Sequence, residues 1–161
     1  MLQEKQNILD KIDLLISSLV NLEDKTGKYT LIMSDGTAVD QISFDFWEWT
    51  SGIGLYGMMK YYRLTRKQSI LNQIKEWFDA HLPDREAEKN INTMVQMLTL
   101  AYLYEETEEE KYRPYLQTWA EWLYKELPRT RCGAFEHMTF GPRNYEQIWD
   151  DTLIDVYKRQ A

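Results

Sequence analysis

A chain of 161 residues, 43% of them hydrophobic, can bury one real core and is too short to presume two domains. Its 19 Lys and Arg stand against 26 Asp and Glu, and the net charge of −7 excludes holding a nucleic-acid backbone or an anionic membrane surface by bulk electrostatics. A single cysteine, Cys132, excludes an internal disulfide and a thiol-rich metal site.

The first element is a helix, because Leu2, Ile8, Leu9, Ile12, Leu15, Ile16 and Leu19 recur at three-and-four spacing. Charges at Glu4, Lys5, Asp10, Lys11 and Asp13 break any signal-peptide core or membrane span, so the segment reads as soluble with no membrane partner. Residues 21–45 are polar and turn-rich. The helical rhythm returns around 52–63, 67–81, 91–105 and 109–126, separated by loops at 82–90 and 127–145, and no strand-like alternation of comparable length competes. The chain is all-α.

A repeat runs through it. Tyr62-x2-Thr65 precedes Leu71-x5-Trp77-x4-Leu82-Pro83, and Tyr104-x2-Thr107 precedes Leu116-x5-Trp122-x4-Leu127-Pro128. The offset is 42 residues in the first part and 45 in the second, so a three-residue insertion separates two matching helical hairpins. Each hairpin is an inner helix, a turn, an outer helix and a Leu-Pro stop, where proline lacks the N–H a helix needs. Stacked hairpins build an open solenoid or a closed ring, and the long loops favour a ring roofed over a central cavity.

Three stretches could carry chemistry. In "FWEWTSGIGLYGMMKYY", Gly52, Gly54 and Gly57 predict close backbone approach, and Trp47 and Trp49 are either core packing or a sugar-stacking platform. His137 stands in the loop "CGAFEHMTFG", as a surface side chain or a site residue; His81, at a helix end, reads as structural. In "YEQIWDDTLI", Asp150 and Asp151 sit about 100° apart on a helix and cannot face the same side, so one faces a cavity or both merely complement a helix terminus. With no GxSxG, HExxH, phosphate-cradling loop or Cys/His spacing, any chemistry rests on carboxylates.

Taken in order, "FWEWTSGIGLYGMMKYYRLT", "INTMVQMLTLAYLYEET", "LPRTRCGAFEHMTFG" and "YEQIWDDTLI" resemble the N-terminal half of glycoside hydrolase family 105, the unsaturated rhamnogalacturonyl hydrolases related to the unsaturated glucuronyl hydrolases of family 88. The resemblance covers residues 43 to 154. It implies an (α/α)6 barrel, of which this chain holds an arc of about half the hairpins. The activity it implies is removal of a 4,5-unsaturated uronic acid left by a polysaccharide lyase, by hydrating the double bond. The implied partner is an oligosaccharide with that sugar at its non-reducing end. No cofactor, metal or nucleic acid is implied, and the location is a bacterial cytoplasm or periplasm.

Carried over by position, the resemblance makes Asp151, in Gln147-Ile148-Trp149-Asp150-Asp151, the catalytic acid and then base, with Trp149 beside it. Substrate-binding positions fall on Trp49, Asn92, His137 and Trp149. Some relatives carry Asp where this chain has Asn92, and an amide can orient a hydroxyl but cannot exchange a proton as an acid does. A second carboxylate is therefore not expected from that position. The terminal "DVYKRQ" resembles the translation of a sequencing-library transposon end, so residues 155–161 are expected to be non-native and 1–154 a partial hydrolase domain. Two rivals stand beside this reading. One is another (α/α)6 sugar-active enzyme, an epimerase, lyase or ordinary glycosidase. The other is a non-catalytic helical-repeat interaction module, for which Asp151, His137 and Trp49 would not converge.

Overall fold

A computed structural model describes residues 2–33, 36–82 and 89–137. The chain divides into two compact units, Met1–Trp47 and Glu48–Ala161. In the first, α1 spans Leu2–Val20, with Ile16 buried. The segment expected to be loop contains a short antiparallel pair, β1 (Thr30–Ile32) and β2 (Ala38–Asp40), with Leu31 opposite Val39. Three-residue strands are too short to leave a period in the sequence. Their approach is held by carboxylates. Asp40 accepts from the Asp24 N–H at 2.6 Å, and Asp24 accepts from the N–H of Tyr29 at 2.6 Å and of Thr26 at 3.0 Å. Desolvation opposes its charge, but these N–H groups and the Thr26 and Thr30 hydroxyls prevail and hold Asp24 at about 2.

The second unit contains the hairpins. α2 (Trp49–Thr65) and α3 (Gln68–His81) form the first; α4 (Gln96–Thr107) and α5 (Arg113–Lys125) form the second. α2 packs against both α3 and α4, and α4 against α5, so α2 and α4 are the inner pair. Leu55 and Met59 of α2, Ile74 and Phe78 of α3, and Met97, Leu100 and Leu103 of α4 are wholly buried. Each such side chain stabilises the fold by about 1.5–3 kcal/mol. Among the described residues no helix is long and apolar enough to cross a membrane.

The repeat seen in the sequence is a repeat of structure. Both inner helices end the same way: the Thr65 hydroxyl donates to the Tyr61 carbonyl and the Thr107 hydroxyl to the Leu103 carbonyl, each at 2.8 Å. The next residue turns left-handed in both, Arg66 at φ 59° and Glu108 at φ 54°, and its N–H returns to the Tyr62 or Tyr104 carbonyl. The three inserted residues are the 3-10 turn Glu110–Tyr112 that precedes α5. Its Tyr112 is buried and donates to Asp79 of α3 at 2.8 Å, while Lys111 reaches the same carboxylate at 2.7 Å and Lys75 of α3 pairs with Glu109 at 2.7 Å. The insertion thus bolts the second hairpin onto the outer helix of the first.

The glycines divide. A Cβ on Gly52 would stand 2.8 Å from Val95 Cγ1 and 3.2 Å from the Gln96 backbone nitrogen, so here α2 does meet the start of α4 closely. Gly57 meets nothing within 4 Å, so the expected crowding is absent there. It lies on an exposed stripe of α2 that also carries Trp49, Ile53 and Leu64.

These positions respond in opposite directions to the same change. Gly52→Ala is expected to destabilise the chain by about 1–3 kcal/mol, because stiff, β-branched Val95 cannot yield. Gly57→Ala is expected to stabilise it by about 0.5–1 kcal/mol through better helix propensity. Urea titration of both variants checks the sign. Glu108→Gly should also stabilise, by up to about 1 kcal/mol, since only glycine enters the left-handed region without Cβ strain; thermal melting reads it.

Candidate functional site

The inner helices begin side by side, and their first turns are built from polar groups. Ahead of α4, the Asn90 side-chain oxygen accepts from the N–H of Asn92 at 2.8 Å and of Thr93 at 3.1 Å, while the Thr93 hydroxyl accepts from the Asn90 N–H at 2.9 Å. This reciprocal cap makes residues 91–95 a turn, so α4 starts at Gln96 and not at 91 as the apolar rhythm predicts. It also fixes the backbone that carries Asn92.

Ahead of α2, Glu48 is extended (φ −147°, ψ 169°) and acts as N-cap. The Ser51 hydroxyl donates to the Glu48 carbonyl at 2.9 Å. Gln96, fully buried, donates its side-chain N–H to that carbonyl at 2.6 Å and to the Ser51 oxygen at 3.1 Å. The first residue of α4 is thereby tied to the first turn of α2.

Inside this junction stands the Glu48 carboxyl. Burial pushes its pKa up, and the Asn92 amide and the Trp49 N–H, both beside it, push back more weakly. Neither these groups nor the Ser51 N–H closes a well-formed hydrogen bond on it. Both Glu48 carboxyl oxygens, Asn92 Oδ1, Gln96 Oε1 and, one turn further, the Thr99 hydroxyl are buried without a partner. Buried orphan acceptors cost about 1–3 kcal/mol each, which makes such a concentration unusual outside functional sites.

The expected site residues fall into three groups. Trp49 and Asn92 both adjoin the Glu48 carboxyl, on α2 and on the turn before α4. The tryptophans separate: Trp47 is core at 4% exposure, and Trp49 presents its ring at 42%. His137 comes from another element, a tight turn in which the Thr130 N–H bonds the Ala134 carbonyl at 2.9 Å and Gly133 adopts φ 85°. That turn seats Phe135 and Glu136 in the interior and leaves His137 half-buried. Asp151, Trp149 and Asp150 lie outside the described residues. His81 is structural: its ring stacks on Trp77 with centroids 4.2 Å apart, and its Nδ1 meets the Trp77 carbonyl at 2.7 Å.

Sequence reasoning passed over Glu48, Ser51, Gln96 and Thr99. The signal was present in two forms: Glu48-x2-Ser51 just before a helix is a capping pattern, and Asn90, Thr93, Gln96 and Thr99 place a polar residue every third position in an apolar run. Chemically, the arrangement offers an exposed indole for an apolar sugar face, an amide to orient hydroxyls, and a carboxyl whose surroundings favour holding a proton. Among the described residues no group of His, Cys, Asp and Glu is arranged to hold a metal ion.

Comparison with known proteins bears on the family of the chain. The chain is 31% identical over 111 residues to the unsaturated rhamnogalacturonyl hydrolase YesR of Bacillus subtilis (strain 168), covering 67% of this chain and 32% of that protein. Two crystal structures, each described as that of a possible member of the GH105 family, are similar. One, from Klebsiella pneumoniae subsp. pneumoniae MGH 78578, superposes with a TM-score of 0.84 at 40% identity over 91% of this chain and 39% of its own. The other, from Salmonella enterica subsp. enterica serovar Paratyphi A str. ATCC 9150, superposes with a TM-score of 0.79 at 44% identity over 89% of this chain and 39% of its own. The chain therefore spans about a third of the length of the curated relative and well under half of the solved ones. Residues 38–157, a range that takes in Trp49, the Glu48–Asn92 junction, His137 and Asp151, match the profile of Glycosyl Hydrolase Family 88, and the chain belongs to that family.

Proposed function

We propose that this chain is a segment of a hydrolase that removes 4,5-unsaturated uronic acid from the products of polysaccharide lyases, acting in the cytoplasm of a bacterium. The observation that carries the reading is the family match over Trp49, Asn92, His137 and Asp151, joined to the likeness to a rhamnogalacturonyl hydrolase. In the proposed reaction the Asp151 carboxylic acid gives its proton to C4 of the vinyl ether, and water adds at C5 while returning a proton to the carboxylate. The resulting hemiketal opens and releases the neighbouring sugar. Trp49 stacks on the sugar, Asn92 and His137 bond its polar groups, and Trp149 supplies the apolar wall that keeps Asp151 protonated.

The test needs the whole enzyme that carries this segment. It is expected to consume the ultraviolet absorbance of the conjugated double bond in an unsaturated uronyl disaccharide. Asp151→Asn should lower kcat/KM by about 10²–10⁴-fold, the usual contribution of a positioned acid–base group. Trp49→Ala should act mainly on KM. Asp150→Asn should act least, and a dead Asp150→Asn beside an active Asp151→Asn would move the acid to Asp150. Intact melting curves for all three variants exclude unfolding as the cause.

A further inference from the structure

The donors and acceptors at the α2–α4 junction do not balance. Ser51 spends its O–H on the Glu48 carbonyl, Gln96 spends its side-chain N–H on the same carbonyl and on Ser51, and the Asn92 backbone N–H is taken by Asn90. What remains is two Glu48 oxygens and Asn92 Oδ1, all buried and outside any well-formed bond, with the Trp49 and Ser51 backbone N–H groups facing the carboxyl and no donor given to Asn92 Oδ1. The Asn92 amide N–H already approaches Glu48. An ionised carboxylate can only accept from it and leaves Asn92 Oδ1 an orphan. A carboxylic acid can do both, accepting the amide N–H on one oxygen and donating from the other to Asn92 Oδ1, in the two-bond ring that acids form with amides.

We propose that Glu48 stands at this junction as a neutral carboxylic acid, paired with the Asn92 side chain through such a ring, and is the positioning residue that sets the direction of the Asn92 amide. One proton satisfies the three orphan oxygens together. The groups acting on the carboxyl are, among the described residues, its burial, the Asn92 amide and the Trp49 N–H; no charged side chain of α2, of the turn before α4 or of α4 contributes. The direction is consistent, since burial outweighs the two N–H groups and favours the uncharged form. The protonation stands by itself, and only its bearing on the sugar rests on the proposed function.

A pH titration of this chain with 13C-labelled glutamate carboxyls tests it directly. Glu48, assigned by its loss in Glu48→Gln, should keep its proton to higher pH than the ordinary glutamate value of about 4.3 allows. Melting supplies the second measurement. A glutamate with a raised pKa in the fold contributes stability fully below its unfolded pKa, and that stability is lost as pH rises through the folded one. Glu48→Gln, whose amide makes the same two-bond ring, should match the wild type at about pH 4 and melt above it at about pH 7. Glu48→Ala, which removes the donor, should melt lower at both. A Glu48 resonance that titrates with the exposed glutamates, or a Glu48→Ala variant that melts higher at about pH 7 by shedding an unpaired charge, overturns the proposal.

Discussion

The side-chain N–H of Gln96 holds the start of α4 to the start of α2, and the rest of the second unit depends on that stitch. It bonds the Glu48 carbonyl and the Ser51 oxygen from a fully buried position, where water cannot compete and an unmade bond would be costly. Glycine at position 52 is what lets the helices come close enough, because a methyl group there would occupy space taken by Val95. With the helix starts joined, Leu55, Met58 and Met59 face Met97, Leu100 and Leu103 as one core, and the outer helices close over it. The candidate site is the polar end of that same contact.

The far end is organised differently. There the two inner helices carry the same left-handed stop, Arg66 in one and Glu108 in the other, and charges link neighbours at the surface: Arg63 bridges to Glu105 and Glu106 of α4 at 3.2 and 3.0 Å. Such exposed pairs each contribute little, about 0–1 kcal/mol, and serve mainly to select register. The 3-10 insertion matters more, because Tyr112 is buried and bonds Asp79. Burial first, and then the Asp79 carboxylate, push its pKa above the tyrosine range and keep it a donor. One end of the hairpin pair is fastened by structural contacts, and the other is left polar and partly unsatisfied, as functional sites commonly are.

That division accounts for what could be read in advance. All five described α-helices follow from apolar spacing, and the doubled Tyr-x2-Thr and Trp-x4-Leu-Pro patterns announce paired hairpins because each inner helix needs the same stop and each outer helix carries a tryptophan at the matching position, buried at Trp77 and half-buried at Trp122. Trp49 and Asn92 were expected as site residues through motif order, and the structure brings the Trp49 backbone N–H and the Asn92 amide to one carboxyl. Glu48 escaped notice because a glutamate before a helix is ordinarily a solvated cap; the Glu48-x2-Ser51 pattern marks the cap but not the burial of its carboxyl. The β1–β2 pair escaped because its strands are shorter than any period, and the late start of α4 because Ile91, Met94 and Val95 keep an apolar rhythm through a capped turn.

By itself the sequence determined the helical class, the repeat and its three-residue insertion, the placing of Trp49, Asn92, His137 and Asp151 in one ordered set of motifs, and the exclusion of an internal disulfide. These are properties of spacing and residue type, and they survive in one dimension. Only the tertiary structure decided which glycine is obligatory, which tryptophan is core, and that the carboxyl of the residue capping α2 lies against an amide 44 positions further along the chain. The physical reason is common to all three. Close approach, exposure and proton affinity depend on what another helix brings within a few ångströms, and no local pattern specifies that neighbour.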